Sequence, residues 1–215
     1  MRQVVLAGIR ARLANYSGRL ATIVALAVFQ THAQAAPLLQ SKPPIPGTGT
    51  ANPIAAWTTF CEQFPTECAI NLEEPARIKL TRQAWRTIVA VNAQVNTRVK
   101  SKTDREHWGV ADRWDFPDDG YGDCEDYQIL KRRLLVRAGF PQRALRMTVV
   151  IDELGAGHAV MMVRTDRGDY ILDNKTNAVL PWEQTGYVFV KREGQESQAW
   201  VSLGGVGSPT ATANR

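Results

Sequence analysis

The hydrophobic period of the chain changes once, between residues 139 and 145, and this change constrains the fold more than any other feature. Before it, apolar residues recur at helical spacing, which predicts one helix beginning at Thr81 and another over residues 124–138. After it, apolar residues alternate with others, as is typical of strands. The predicted strands cover residues 145–151, 158–164, 170–173 and 186–191. Helices followed by an antiparallel sheet indicate an α+β fold.

The two predicted helices differ in their polar residues. In the first, Asn92 and Asn96 lie beside an apolar stripe; we expect them to be solvated, and a polar site is the alternative. In the second, apolar residues face the core, and Lys131, Arg132 and Arg137 are expected on the solvent side.

The N-terminal residues have the layout of a secretory signal peptide. Arginines precede an apolar run over residues 20–29, and Ala33-Gln34-Ala35 provides a small-residue cleavage site. The sequence therefore predicts export to the periplasm and removal of residues 1–35. An uncleaved anchor is the alternative, although the run is short for a membrane span.

The charge of the chain and the distribution of its prolines indicate which partners and which domain boundaries to expect. Much of the net charge of +5 belongs to the predicted signal peptide, and no basic stripe interleaved with aromatic residues follows it, so we expect no nucleic-acid partner. The remaining sequence predicts a Pro/Gly-rich leader over 36–54, one domain over 55–203 and a flexible tail over 204–215.

The chain has three cysteines, and their positions indicate which of them can form a disulfide. In an oxidising compartment Cys61 and Cys68 can pair across a short loop, which leaves Cys124 as the odd thiol. Cys124 begins the second predicted helix, where the macrodipole favours thiolate, the form that attacks carbonyl carbon. The alternatives are that Cys124 pairs with one of the other two cysteines or is a buried, inert thiol.

A thiol nucleophile needs a base, and the base needs a partner that orients it. His158 begins one predicted strand and Asp173 ends the next, and the turn at 166–168 makes these strands neighbours. Both side chains can therefore share one end of a hairpin, with Cys124 on the helix packed against it. Alternatively, His158 is a core or turn residue and Asp173 caps a turn.

Carboxylates surround the cysteine, and their repulsion raises the pKa of the thiol. A calcium or magnesium ion bound by Asp123, Glu125 and Asp126 would offset this charge, with groups such as Asp112 completing the shell. The alternative is that these carboxylates only favour the N-terminus of the helix.

Four parts of the sequence together resemble the bacterial transglutaminase-like cysteine proteinase family, which includes the LapG-type periplasmic proteases that release large surface adhesins. The resemblance covers approximately residues 55–200. It rests on Trp114 with Pro117, on the run Tyr121-Gly122-Asp123-Cys124-Glu125-Asp126-Tyr127, on Gly157-His158-Ala159-Val160 and on Leu172-Asp173-Asn174.

The resemblance implies a papain-like, transglutaminase-core fold in which a cysteine-bearing helix packs on an antiparallel β-sheet. It assigns Cys124 as nucleophile, His158 as general base and Asp173 as the acid that orients the imidazole. The backbone N–H of Cys124, with the Trp114 indole, is a candidate for binding the oxyanion.

The resemblance also implies a cofactor and partners. The family binds calcium at the acidic residues around the cysteine, which correspond here to Asp123, Glu125 and Asp126. A protein substrate is implied, with a surface adhesin as a candidate, and a membrane-bound cyclic-dinucleotide receptor is a candidate regulator.

The predicted function is that of an exported, calcium-dependent cysteine endopeptidase that cleaves a periplasmic or surface-anchored protein. Two alternatives stay open at this stage. A transglutaminase-like acyl transferase would form the same thioester and pass it to an amine instead of water. A non-catalytic module of the same fold would leave Cys124 with ordinary thiol reactivity.

Overall fold

The structure, a computed structural model, describes residues 43–205, all within the second of the two units into which the chain divides, Pro37–Arg215. The predicted signal peptide (1–35) and all but two residues of the predicted tail (204–215) lie outside the described residues. Among the residues from 43 to 205, no helix is long and apolar enough to cross a bilayer.

Five α-helices occur in the described part of the chain. Their bounds are α1 Ala55–Gln63, α2 Pro65–Cys68, α3 Arg82–Arg98, α4 Asp104–His107 and α5 Cys124–Arg137. The two helices predicted from the sequence correspond to α3 and α5. The α3 helix begins as expected, because the Thr81 hydroxyl accepts a hydrogen bond from the Ala84 N–H and so caps a free backbone donor.

Between residues 43 and 205, nine strands form one large sheet and one small one. The bounds are β1 Gly49–Ala51, β2 Lys100–Ser101, β3 Tyr121–Gly122, β4 Leu145–Ile151, β5 Gly157–Thr165, β6 Gly168–Leu172, β7 Leu180–Pro181, β8 Val188–Glu193 and β9 Trp200–Ser202. The large sheet is antiparallel throughout, in the order β1-β9-β8-β4-β5-β6-β7. β2 and β3 pair in parallel just before the cysteine-bearing helix. The predicted α+β class, a cysteine-bearing helix on an antiparallel sheet, is confirmed.

The four predicted strands correspond to β4, β5, β6 and β8, whereas the short strands at the sheet edges were not predicted. One of these, β1, lies inside the segment interpreted as a leader, and Gly49 pairs with Ser202 of β9. The N–H of Ile45 donates to the Asp169 carboxylate, and the Ile45 side chain is buried. The second half of the leader is therefore part of the sheet's packing.

Alternate residues of β5 face two different apolar clusters, as the strand period requires. On one face, Met161 and Val163 pack with Ile88 and Val95 of α3. On the other face, residues such as Val160 pack against Phe189 and Leu203 in a separate cluster. Because both faces of the sheet are covered, β4 and β5 are buried along almost their whole length.

The prediction that Lys131 and Arg132 lie on the solvent side of α5 was wrong, whereas Arg137 is exposed as predicted. Lys131 and Arg132 are both buried, because α5 contacts β3, β4, β5 and α3 and so has little solvent-facing surface. Arg132 is compensated there: its guanidinium donates to Glu193 of β8 over 2.8 Å, and the indole N–H of Trp57 donates to the same carboxylate. This buried ion pair ties α5 to the sheet.

Candidate active site

Cys124 is the first residue of α5 and is buried, with 4% of its surface exposed. The backbone N–H of Ala159 in β5 donates a hydrogen bond to its Sγ over 3.4 Å. The thiol in turn lies 3.0 Å from the Glu125 carboxylate, to which it donates. The sulfur is therefore located between the beginning of a helix and the beginning of a strand.

The disulfide predicted between Cys61 and Cys68 is confirmed. The two residues lie in α1 and α2, with their Cα atoms 5.6 Å apart, and their sulfur atoms are bonded. Of the chain's three cysteines, Cys124 is the one that is not in a disulfide. This excludes the alternative in which Cys124 pairs with another cysteine of the same chain.

His158 and Asp173 lie side by side at one end of the β5–β6 hairpin. The hairpin turns at residues 166–167, and its register places Met161 opposite Leu172. Nε2 of His158 is 2.9 Å from Oδ1 of Asp173, and both side chains are buried. The sequence prediction that the hairpin brings these two residues together is confirmed.

The carboxylate of Asp173 is held by several donors. Besides His158, the backbone N–H of Lys175 donates to Oδ1 over 3.0 Å, and the Tyr187 hydroxyl donates to Oδ2 over 2.6 Å. Burial by itself raises the pKa of Asp173, but the bond to His158 and the other donors outweigh it and lower the pKa to about 2. Asp173 is consequently an anion at neutral pH and can stabilise an imidazolium.

The structure brings the three residues predicted as a triad to one place. The N–H that contacts the Cys124 sulfur belongs to Ala159, the residue that follows His158. Since Nε2 of His158 is bonded to Asp173, Nδ1 is the ring nitrogen that remains for a thiol proton. Acyl transfer by the predicted triad would need a nucleophile, a base and an orienting acid in this sequence of contacts.

Two asparagines on α3 were predicted to be solvated; this was wrong for Asn92, and Asn96 is half-buried. Asn92 is fully buried, and its side-chain amide donates to the backbone carbonyls of Thr176 and Asn177. Asn96 donates to the carbonyl of Asp173 over 2.8 Å. Sequence reasoning missed this role because the loop that the two amides hold lies far away along the chain; the only signal was their helical spacing of four residues.

The acidic residues around the cysteine form two overlapping groups of carboxylates. Within each group, one oxygen from each residue lies within 4.8 Å of the others. The groups are Asp104 with Asp112 and Glu125, and Asp104 with Asp123 and Asp126. The predicted ligands Asp123, Glu125 and Asp126 are therefore divided between two groups. Asp104 of α4, which belongs to both, was missed because its position in the first turn of a short helix is also that of a capping residue.

Burial and mutual repulsion disfavour the charged forms of the carboxyl groups in this cluster. Burial and the charge of Asp104 raise the pKa of Asp123 to about 7. Burial and neighbouring carboxylates raise the pKa of Glu125 and Asp126, and burial followed by repulsion from Glu125 raises the pKa of the Cys124 thiol. Oδ1 of Asp123 is buried and has no hydrogen-bond partner within residues 43–205. Closely spaced, buried oxygen donors of this kind fit a hard divalent cation.

The backbone around the acidic cluster is adapted to it. The N–H of Asp115 donates to Asp126 Oδ1 over 2.9 Å, and the N–H of Asp104 donates to Asp123 Oδ2 over 3.1 Å. A Cβ atom at Gly122 would lie 2.8 Å from Asp126 Oδ2, so a larger residue would displace that carboxylate. These contacts leave the acidic side chains little freedom to move apart.

Trp114, the predicted oxyanion donor, is buried in an apolar cluster with Phe60 of α1 and Trp200 of β9. Its indole N–H is buried and has no hydrogen-bond partner in the described part of the chain. An unpaired donor is what a candidate oxyanion ligand must offer, but its alignment with the sulfur stays a prediction.

Comparisons with known proteins identify one family and several similar structures. The family described as bacterial transglutaminase-like cysteine proteinase BTLCP matches residues 47–207. Three solved structures of Legionella pneumophila LapG are similar, each with a TM-score of 0.48. One is 27% identical and covers 59% of this chain and 71% of that chain. A calcium-bound form is 25% identical and covers 65% and 78%, and an EGTA-treated form is 26% identical and covers 59% and 70%.

No curated protein matches the chain. The family match, however, covers about three quarters of the sequence, including both hairpin strands and the whole of α5. The chain therefore belongs to the bacterial transglutaminase-like cysteine proteinase family and is a cysteine peptidase.

Proposed function

We propose that the protein is a calcium-dependent endopeptidase of the periplasm that works through a triad of Cys124, His158 and Asp173. The observation that carries the proposal is the bonded His158–Asp173 pair, with the adjacent Ala159 N–H in contact with the Cys124 sulfur. Burial of all three side chains supports it, since a water-poor site strengthens each electrostatic interaction.

In the proposed reaction, Nδ1 of His158 takes the thiol proton while the sulfur of Cys124 attacks the peptide carbonyl. The tetrahedral intermediate is stabilised by the Cys124 N–H at the start of α5, with the Trp114 indole as second donor. The imidazolium, stabilised by Asp173, then gives its proton to the leaving amine, and a thioester remains. Water activated by His158 hydrolyses the thioester and restores the thiol.

Calcium is proposed for the acidic cluster around Asp104. When bound, the cation would supply positive charge that offsets the carboxylates beside the thiol and so favours thiolate. Asp104, Asp123 and Asp126 are placed to hold it, and Asp112 and Glu125 form the second group. The alternative of helix capping explains the cluster less well, because Asp104 and Asp112 belong to it and lie outside α5.

Export to the periplasm is supported by the layout of residues 1–35 and by the Cys61–Cys68 disulfide, since disulfides persist mainly in oxidising compartments. The substrate is then a protein of the periplasm or of the cell surface. A surface-anchored adhesin is the substrate class that the sequence resemblance favours, and a membrane-bound cyclic-dinucleotide receptor is the corresponding candidate regulator.

The test is replacement of the nucleophile. Cys124→Ala should abolish cleavage and leave the melting temperature nearly unchanged, because only one sulfur atom is removed. Proteins released from cells that carry the wild-type or Cys124→Ala protein can be compared by mass spectrometry, which also identifies the substrate. Undiminished cleavage by Cys124→Ala would refute the proposed mechanism.

The fate of the thioester separates a peptidase from an acyl transferase. A glutamine-containing protein and a labelled primary amine, incubated with the enzyme, should give peptide cleavage without amine incorporation. Incorporation without cleavage would identify a transferase, and failure of Cys124 to react faster than an ordinary thiol with iodoacetamide would identify a non-catalytic module.

A further inference from the structure

We propose that Tyr187, which lies just before β8, is a positioning residue of the active site that holds Asp173 in the orientation His158 requires. The inference rests on the proposed triad and adds a fourth member to it. It is carried by one contact, in which the Tyr187 hydroxyl donates to Oδ2 of Asp173 over 2.6 Å.

The two oxygens of Asp173 have different partners. Oδ1 accepts from His158 and from the Lys175 N–H, and Oδ2 accepts from Tyr187. Donors on Oδ1 alone would leave the carboxylate free to rotate about its Cβ–Cγ bond. A donor on Oδ2 fixes the plane of the group, so that Oδ1 stays directed at Nε2 of His158.

Tyr187 also contacts the base itself. Its ring lies edge-on to the His158 imidazole, with the ring centroids 5.8 Å apart and the planes at 79°. The Lys175 ammonium lies 5.9 Å from the centroid of the same ring and forms a salt bridge of 2.7 Å with Asp152. Tyr187 therefore contacts His158 through its ring and Asp173 through its hydroxyl.

The Tyr187 hydroxyl is suited to donate a hydrogen bond to Asp173 over a wide pH range. Burial, followed by the hydrogen bond to the Asp173 carboxylate, raises the pKa of Tyr187 well above its ordinary value. The hydroxyl consequently keeps its proton at neutral pH, and a hydrogen bond to a charged acceptor is stronger than one between neutral groups. Removing only this hydroxyl leaves the ring contact with His158 in place.

The test measures the rate at which iodoacetamide alkylates Cys124 in the mature protein with calcium present. Because Cys61 and Cys68 are bonded to each other, the reagent reports on Cys124 alone. Tyr187→Phe should lower the rate about tenfold, the scale of one hydrogen bond to a charged group. The control is Tyr170→Phe, which removes the hydroxyl of a buried tyrosine in β6 that packs on Trp85. The alkylation rate of this variant should match that of the wild type.

A double-variant cycle separates positioning from a general structural effect. If Tyr187 acts through Asp173, then Asp173→Asn combined with Tyr187→Phe should react no more slowly than Asp173→Asn alone. Additive losses, or a wild-type rate for Tyr187→Phe, would overturn the role of Tyr187 while leaving the triad intact. Wild-type rates for both His158→Ala and Asp173→Asn would instead overturn the triad, and the role of Tyr187 with it.

Discussion

The side-chain amide of Asn96 on α3 donates a hydrogen bond to the backbone carbonyl of Asp173 over 2.8 Å, across 77 positions of sequence. The same amide donates to the carbonyl of Thr176 and to the side-chain oxygen of Asn177. The loop that carries the proposed orienting acid is therefore fixed to α3 as well as to its own hairpin.

Removing this amide should loosen the loop that carries Asp173. We expect Asn96→Ala to lower the cleavage rate and the alkylation rate of Cys124 several-fold, because Asp173 then samples orientations that do not meet His158. The control is Gln94→Ala, an exposed position on the same helix. Equal rates for the two variants would show that the hairpin alone positions Asp173.

Lys131 of α5 makes the stability of the protein dependent on pH. The residue has 0% exposure, and its ammonium has no hydrogen-bond partner in the part of the chain that the structure describes. Burial lowers the pKa of Lys131 to about 7, although the charge of Asp173 opposes this, and the unfolded value is about 10.4. Between these values the folded state binds fewer protons than the unfolded state, so the free energy of unfolding rises with pH.

Lys131→Met should remove that dependence. We expect the variant to be more stable than wild type at pH 7, with the difference shrinking toward pH 10, as measured by urea unfolding at several pH values. Lys100→Met, at an exposed position, is the matched control. A wild-type pH profile for Lys131→Met would mean that the buried amine is solvated by internal water.

The acidic cluster should produce the opposite dependence when calcium is removed. The raised pKa values of Asp123, Glu125 and Asp126 mean that the folded state binds more protons than the unfolded state between about pH 4 and 7. When a chelator has removed calcium, the melting temperature of the protein should therefore fall as the pH rises through this range. Calcium replaces these protons, so the stabilisation it gives should be larger at pH 7.5 than at pH 5. Equal melting curves with calcium and with chelator at both pH values would argue against a calcium site.

Asp104 is expected to be the key ligand, because both carboxylate groups include it. Asp104→Asn keeps the shape and removes the charge, and we expect it to abolish most of the calcium-dependent shift in melting temperature. Asp118→Asn, at an exposed position in the following loop, should retain the full shift. If Asp104→Asn also retains it, the ion is bound by other residues.

The disulfide should contribute stability without affecting the chemistry. It closes a short loop, with a sequence separation of 7 residues, so its loss should lower the free energy of unfolding by about 2 kcal/mol. The double variant Cys61→Ser/Cys68→Ser can be compared with wild type by urea unfolding. Its Cys124 alkylation rate should be unchanged, and a large fall would indicate that the disulfide also shapes the active site.

The parts of the site that could be predicted depend on local sequence. The β5–β6 hairpin followed from its turn residues, and the turn fixes the register that brings His158 beside Asp173. Cys124 followed from the glycine-to-helix transition. The pairing of Cys61 with Cys68 followed from their separation. In each case the partners are linked by a short segment whose geometry the sequence specifies.

The parts that could not be predicted depend on contacts between distant segments. Arg132 looks like a solvated residue until Glu193, 61 residues away, supplies its counter-charge inside the fold. Asp104 joins the acidic cluster only because β2 and β3 bring α4 next to the start of α5. Neither hydrophobic period nor spacing carries such information, since each describes one element at a time.

The proposed catalytic groups lie on two elements of the fold. His158 and Asp173 belong to a single hairpin, whereas the sulfur of Cys124 lies on α5 and accepts a hydrogen bond from the Ala159 N–H of β5. A change in the position of α5 relative to that hairpin would therefore alter the distance between the sulfur and the imidazole and leave the His158–Asp173 hydrogen bond in place. Because the acidic cluster includes the residues on both sides of Cys124, an ion bound there would act on the same helix turn that carries the proposed nucleophile.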